Sequence, residues 1–172
     1  AGGDAYHEPS VGADEFVLGT CAAGTLTDAF GANEKPLSIN GSQGSDGGLV
    51  GVTIGTPITL MLAQPSTNPS PAIWFLFGWI DVPSPSQSFI LPGNLGTMCF
   101  APDFFTPHPA TFTVADALNV YQTPGLVGGN PAPWSVSAPI GIPFPFRATI
   151  QGVIEAQPGI YRTTNAIVLD VR

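Results

Sequence analysis

The apolar residues of this chain recur with a period of two, and helical spacing is nearly absent. Pro or Gly interrupts nearly every window of twelve residues, so apolar stripes at 3.6-residue spacing are scarce. Segments of strand character follow one another: Glu15–Thr20, Leu37–Asn40, Leu49–Ile54, Pro57–Gln64, Ala72–Asp81, Gln87–Leu91, Thr97–Ala101, Ala110–Val114, Leu118–Gln122, Trp134–Ala138, Arg147–Ala156 and Tyr161–Val171. Pro, Gly, Ser and Asn punctuate them at intervals of roughly 8–12 residues, the spacing of a β-sandwich. Thr113 to Tyr121 is the best helix candidate, and Val114, Asp116, Leu118 and Val120 there suit a strand equally well. The pattern predicts an all-β protein, a sandwich of immunoglobulin-like or jelly-roll-like type.

Two segments say more. In Ile73–Ile80, side chains Ile73, Phe75, Phe77 and Trp79 point one way, and Trp74, Leu76 and Ile80 the other. Both sets are apolar, so this strand is expected to be buried on both faces. A two-layer sandwich covers one face only; the other calls for a loop, an arm or another subunit. Arg147–Ala156 and Tyr161–Val171, joined by Gln157-Pro158-Gly159-Ile160, read as a closing hairpin with a Pro-Gly turn.

Charge changes the picture. Only 9% of the 172 residues are charged, against about 25% in an ordinary domain. Lys35, Arg147, Arg162 and Arg172 are the only bases, and the net charge is −8. Nucleic acid and anionic membrane surfaces, which require clustered Lys and Arg, are excluded as partners. Between Asp46 and Arg147 the only charges are Asp81, Asp103 and Asp116. A surface so bare of charge is either covered, by other copies or by glycans, or relies on Ser, Thr, Asn and Gln. The 21 Gly and 19 Pro do not signal disorder, because the aliphatic and aromatic content suffices for a core.

The longest apolar run is far short of the ~20 residues that span a bilayer. The chain begins with Ala, as a secreted protein cleaved from its signal peptide would, and as a trimmed chain would too. Cys21 and Cys99 read as one disulfide formed in an oxidising compartment, the alternative being two buried free thiols.

Chemistry-bearing motifs are sparse. His7 and His108 stand alone, His108 within Pro107-His108-Pro109, and a metal or catalytic site needs convergent ligands. Gly-x-Ser-x-Gly, P-loop, dinucleotide and EF-hand patterns are missing, and the acids are too scattered to place a catalytic pair. The Asn40–Asp46 loop is too rich in Gly and Ser to suggest calcium. Asn40-Gly41-Ser42 is a candidate glycosylation sequon. Trp134, behind Asn130-Pro131-Ala132-Pro133, is the best candidate for an exposed, sugar-stacking aromatic. No cofactor, metal or catalytic residue is predicted, and the expectation is that the protein is not an enzyme.

From Cys21 onward the chain resembles a Gly/Pro-rich β-sandwich domain found at the C-termini of large secreted bacterial proteins. The resemblance rests on Cys21-Ala22-Ala23-Gly24, Ile54-Gly55-Thr56-Pro57-Ile58-Thr59-Leu60, the strand ending Phe77-Gly78, Leu91-Pro92-Gly93 before Cys99, Ile150-Gln151-Gly152, and Thr164-Asn165-Ala166-Ile167-Val168-Leu169. It implies a sandwich with a Cys21–Cys99 bridge and carries over no activity.

The organisation expected is an acidic N-terminal arm over residues 1–20 and a sandwich domain over 21–172, secreted or at the cell surface. The function expected is that of a structural subunit of an extracellular filament or surface assembly, whose partners are copies of itself. Apolar Phe16, Val17 and Leu18 would add as a strand to a neighbour's open edge. The acidic arm would meet Arg147, Arg162 and Arg172 of the final hairpin, head to tail. The alternative is a secreted module that binds polysaccharide or a surface protein.

Overall fold

The computed structural model describes residues 21, 23–44, 48–102, 108–120, 129–138 and 141–172. They include eleven strands and a 3-10 turn at Pro85–Gln87. The strands are β1 (Leu37–Ile39), β2 (Leu49–Val52), β3 (Ile58–Leu62), β4 (Trp74–Ile80), β5 (Phe89–Leu91), β6 (Gly96–Met98), β7 (Thr111–Asp116), β8 (Trp134–Ala138), β9 (Phe146–Gln157), β10 (Ile160–Thr163) and β11 (Ile167–Val171). The fold is an all-β sandwich, as the alternation predicts.

A six-stranded sheet, ordered β2-β11-β9-β4-β7 with β10 also paired to β9, forms the middle layer. All its pairs are antiparallel except β2 with β11. A three-stranded antiparallel sheet, β1-β3-β8, packs on one face. Leu37, Ile39, Leu60, Leu62 and Trp134 from the small sheet meet Trp74, Leu76, Ile150, Ile154 and Leu169 from the large one. The β5–β6 hairpin covers the other face, where Leu91, Met98, Cys99 and Phe100 pack on Phe77, Trp79, Val153 and Val168.

β4 is therefore buried on both faces, with Trp74 and Leu76 in one core and Phe77 and Trp79 in the other. Its second cover is the chain's own hairpin, pinned by the disulfide, so no neighbouring subunit is needed there. Two side chains depart from strict alternation. Ile73, which precedes the strand, packs with the first core, and Ile80 at its end is half exposed.

Two predicted strands are corrected. Leu118–Gln122 is not a strand over its described residues, 118–120: the Asp116 carboxylate accepts the N–H groups of Leu118 at 2.8 Å and Val120 at 3.1 Å. Asn119 there takes φ 60°. An Asp side chain that captures nearby backbone donors makes a turn instead of a ladder. Tyr161–Val171 splits into β10 and β11, because Asn165 leaves the ladder to bond elsewhere. Its side-chain amide accepts the Leu37 N–H and donates to the Leu37 carbonyl, both at 3.0 Å, standing in for a strand partner of β1. The helix candidate at 113–121 is likewise strand β7 and then this turn over its described residues.

Candidate functional site

β4, β9 and β10 present alternate side chains to the hairpin side of the large sheet, and at its margin these leave a groove. Phe75 and Phe77 of β4, Val153 of β9, Tyr161 of β10, Leu91 at the end of β5, Leu95 and Pro102 line about 220 Å³. Among the described residues no charged side chain contributes to that wall. An apolar cavity of about 150 Å³ accommodates benzene, so this one is sized for an aromatic ring and part of an aliphatic chain. Burial, and secondarily the Glu155 carboxylate, raises the Tyr161 phenol above its usual 10.0. Arg162 sits beside the groove, its Nη1 donating to the carbonyls of Tyr161 at 2.8 Å and Asn94 at 3.2 Å.

The groove rests on a rigid support. Cys21 and Cys99 form the predicted disulfide, with Cα atoms 5.2 Å apart across 78 residues of sequence. Gln151 of β9, fully buried, donates to the carbonyls of Cys21 and Thr164 at 3.0 Å and accepts the Cys99 N–H at 2.8 Å. A buried amide with its bonds made fixes the segment against the sheet instead of costing stability.

A second groove lies at the ends of β4, β9 and β11. It is an open depression of about 590 Å³ between Ile80, Asp81, Pro145, Phe146, Arg147, Asp170, Val171 and Arg172. Arg147 and Asp170 are cross-strand partners, and both Nε and Nη2 of Arg147 reach Asp170 Oδ1 at 3.2 Å. Arg172 Nε stands 3.7 Å from Asp170 Oδ2, and Arg147 Nη1 stands 3.9 Å from Asp81. Four of the ten charged side chains among the described residues thus gather in one place. Their charges cancel.

The three arginines expected to form one basic surface are divided accordingly. Arg147 and Arg172 belong to the balanced groove and Arg162 to the apolar one, so the final hairpin offers no common basic patch. Trp134 is corrected outright: it is only 6% exposed and packs on Trp74 with ring centroids 4.4 Å apart. Asn40 is exposed at the tip of a tight turn, where Asn40 and Gly41 take φ 50° and 78°, the left-handed pair a type I′ turn demands. Its Oδ1 accepts the Thr59 N–H at 2.7 Å. The Asn-Gly pair has this turn role, and the sequon remains at the surface. Phe16, Val17 and Leu18 lie outside the described residues, as does the whole expected arm.

His108 stacks on Trp79 at 4.6 Å. Among the described residues no three His, Cys, Asp or Glu side chains group as metal ligands, and no helix is long and apolar enough to cross a membrane. Sequence reasoning missed both grooves. Tyr161 and Arg162 offered a signal, an aromatic and a cation side by side on a hairpin arm, but only the fold reveals that Leu91, Leu95 and Pro102 approach them.

Comparisons with known proteins add little to this geometry. No protein-family model and no curated protein matches the chain. Among solved structures, a cellulose-active polysaccharide monooxygenase from M. thermophila is similar at a TM-score of 0.32 and 15% identity, over 77% of this chain. The match spans 57% of that protein's chain. A likeness at this level bears on neither chemistry nor ligand.

Proposed function

We propose that the protein is a structural subunit of an extracellular assembly, in which Phe16, Val17 and Leu18 of one copy occupy the apolar groove of the next. The observation that carries this reading is the groove itself: an uncharged wall of Phe75, Phe77, Leu91, Leu95, Pro102, Val153 and Tyr161, with the lone cation Arg162 beside it. The arm has matching chemistry. Its apolar triplet follows directly on Asp14 and Glu15, which would meet Arg162. Burying three such side chains supplies roughly 1.5–3 kcal/mol each, set against an association cost of about 4–15 kcal/mol. The exposed charge pair contributes about 0–1 kcal/mol and sets register. An arm of one copy seated in the groove of the next makes a heterologous contact, which propagates. The disulfide suits an oxidising, extracellular setting.

Sedimentation velocity over a concentration series tests the proposal. The intact chain is expected to form concentration-dependent oligomers, and Phe16→Asp with Leu18→Asp is expected to leave a monomer. If the intact chain is itself a monomer at every concentration, the arm closes on its own domain or not at all, and the proposal fails.

A further inference from the structure

We propose that the charge-balanced groove at the ends of β4, β9 and β11 is a binding site for a neutral oligosaccharide, separate from the assembly groove. Sugars present hydroxyl groups that both donate and accept, together with an apolar C–H face. The groove supplies partners for each. Asp81 and Arg172, whose side chains are 71% and 75% exposed, offer carboxylate acceptors and guanidinium donors at its rim. Arg147 is held in place by the largely buried Asp170, so its plane is oriented before a ligand arrives, which lowers the ordering cost of binding. Ile80, half exposed, and Phe146 give the apolar floor, and Phe144 stands edge-on to Phe146 with centroids 6.4 Å apart. The depression is open to solvent and holds about 590 Å³.

Charge balance selects the ligand class. Among the described residues the two Asp and two Arg side chains sum to zero, so no net charge favours a polyanion or draws in the acidic arm. Aromatic stacking falls to Phe146 and Phe144, in place of the buried Trp134.

Titration of the intact protein with cellohexaose, maltohexaose, mannohexaose and chitohexaose, followed by amide chemical shifts, tests the site. At least one hexaose is expected to bind saturably, shifting resonances around Phe146 and Arg172. Its affinity is expected to change little between about 50 and 500 mM salt, since no net charge is screened. Phe146→Ala, and separately the pair Asp81→Ala with Arg172→Ala, are expected to weaken binding at least about tenfold while circular dichroism stays unchanged. Three results would overturn the proposal: no binding of any hexaose up to about 10 mM, variants that bind as the parent does, or salt-sensitive capture there of polygalacturonate or of a peptide of residues 1–20.

Discussion

The backbone N–H of Cys99 is hydrogen-bonded at 2.8 Å to the side-chain Oε1 of Gln151, a residue of β9 with no solvent exposure. The same amide reaches the Cys21 and Thr164 carbonyls. Replacing it by Leu of similar size takes this partner from the Cys99 N–H and the Thr164 carbonyl, at about 1–3 kcal/mol each, while the Cys21 carbonyl keeps the Gly24 N–H at 3.2 Å. Gln151→Leu is therefore expected to lower the urea midpoint sharply, with Gln151→Glu also below the parent because a buried carboxylate cannot donate to the two carbonyls.

Reducing the disulfide tests a different term. Closing a 78-residue separation restricts the unfolded chain by about 4–5 kcal/mol on the chain-entropy model. Cys21→Ser with Cys99→Ser is expected to lose stability of that order in equilibrium denaturation and to retain the β-type circular dichroism of the parent. Labelling of both thiols in the untreated native protein would contradict the bridge.

Gly152 on β9 faces Leu76 and the Phe75 carbonyl: a Cβ there would stand 2.5 Å from that backbone oxygen. The backbone of a central strand has no room to yield. Gly152→Ala is expected to cost about 1–3 kcal/mol, read as a shift in the denaturation midpoint, although Ala suits strands at least as well as Gly.

Tyr161 provides a pH test. The folded-state pKa is raised, first by burial and then by Glu155, so the unfolded chain loses this proton first as pH climbs. Stability is then fully present below pH 10 and declines as pH rises from there through the folded value. Ultraviolet titration is expected to show one phenol ionising above the ordinary range, moved back downward by Glu155→Gln.

Trp134 belongs to the core, and its truncation reports that directly. Trp134→Ala removes a ring packed on Trp74 and is expected to destabilise by about 3–5 kcal/mol. Loss of sugar binding with stability unchanged would contradict this placement.

The extent to which the sequence disclosed these features follows from the range of the interactions. β4 was legible because its two apolar faces lie within eight consecutive residues, Ile73 to Ile80. The cover for its second face was not, since Leu91, Met98 and Phe100 meet it only through long-range pairing. Local chemistry could have corrected the strand expected at 118–122, where Asp116 and Asn119 are turn formers. Trp134 misled through its flanking prolines, which suggest an exposed loop, whereas the ring lies across from Trp74 of another sheet. Asp170 of β11 and Arg172 just past its end lie two apart; their meeting with Arg147 depends on the β9–β11 register. The apolar groove draws on β4, β5, β9 and β10, and no pattern along the chain assembles them.

The bridge between Cys21 and Cys99 also decides how the domain responds to a pull. A pull applied at Cys21 divides at once between the continuing chain and the covalent bond to Cys99. The bond delivers its share to the end of the β5–β6 hairpin, and Gln151 ties both cysteines to the middle of the largest sheet. A strand held at one edge by hydrogen bonds alone unzips one bond at a time. Here the first step of such peeling is blocked covalently, and force spreads into many sheet hydrogen bonds loaded together.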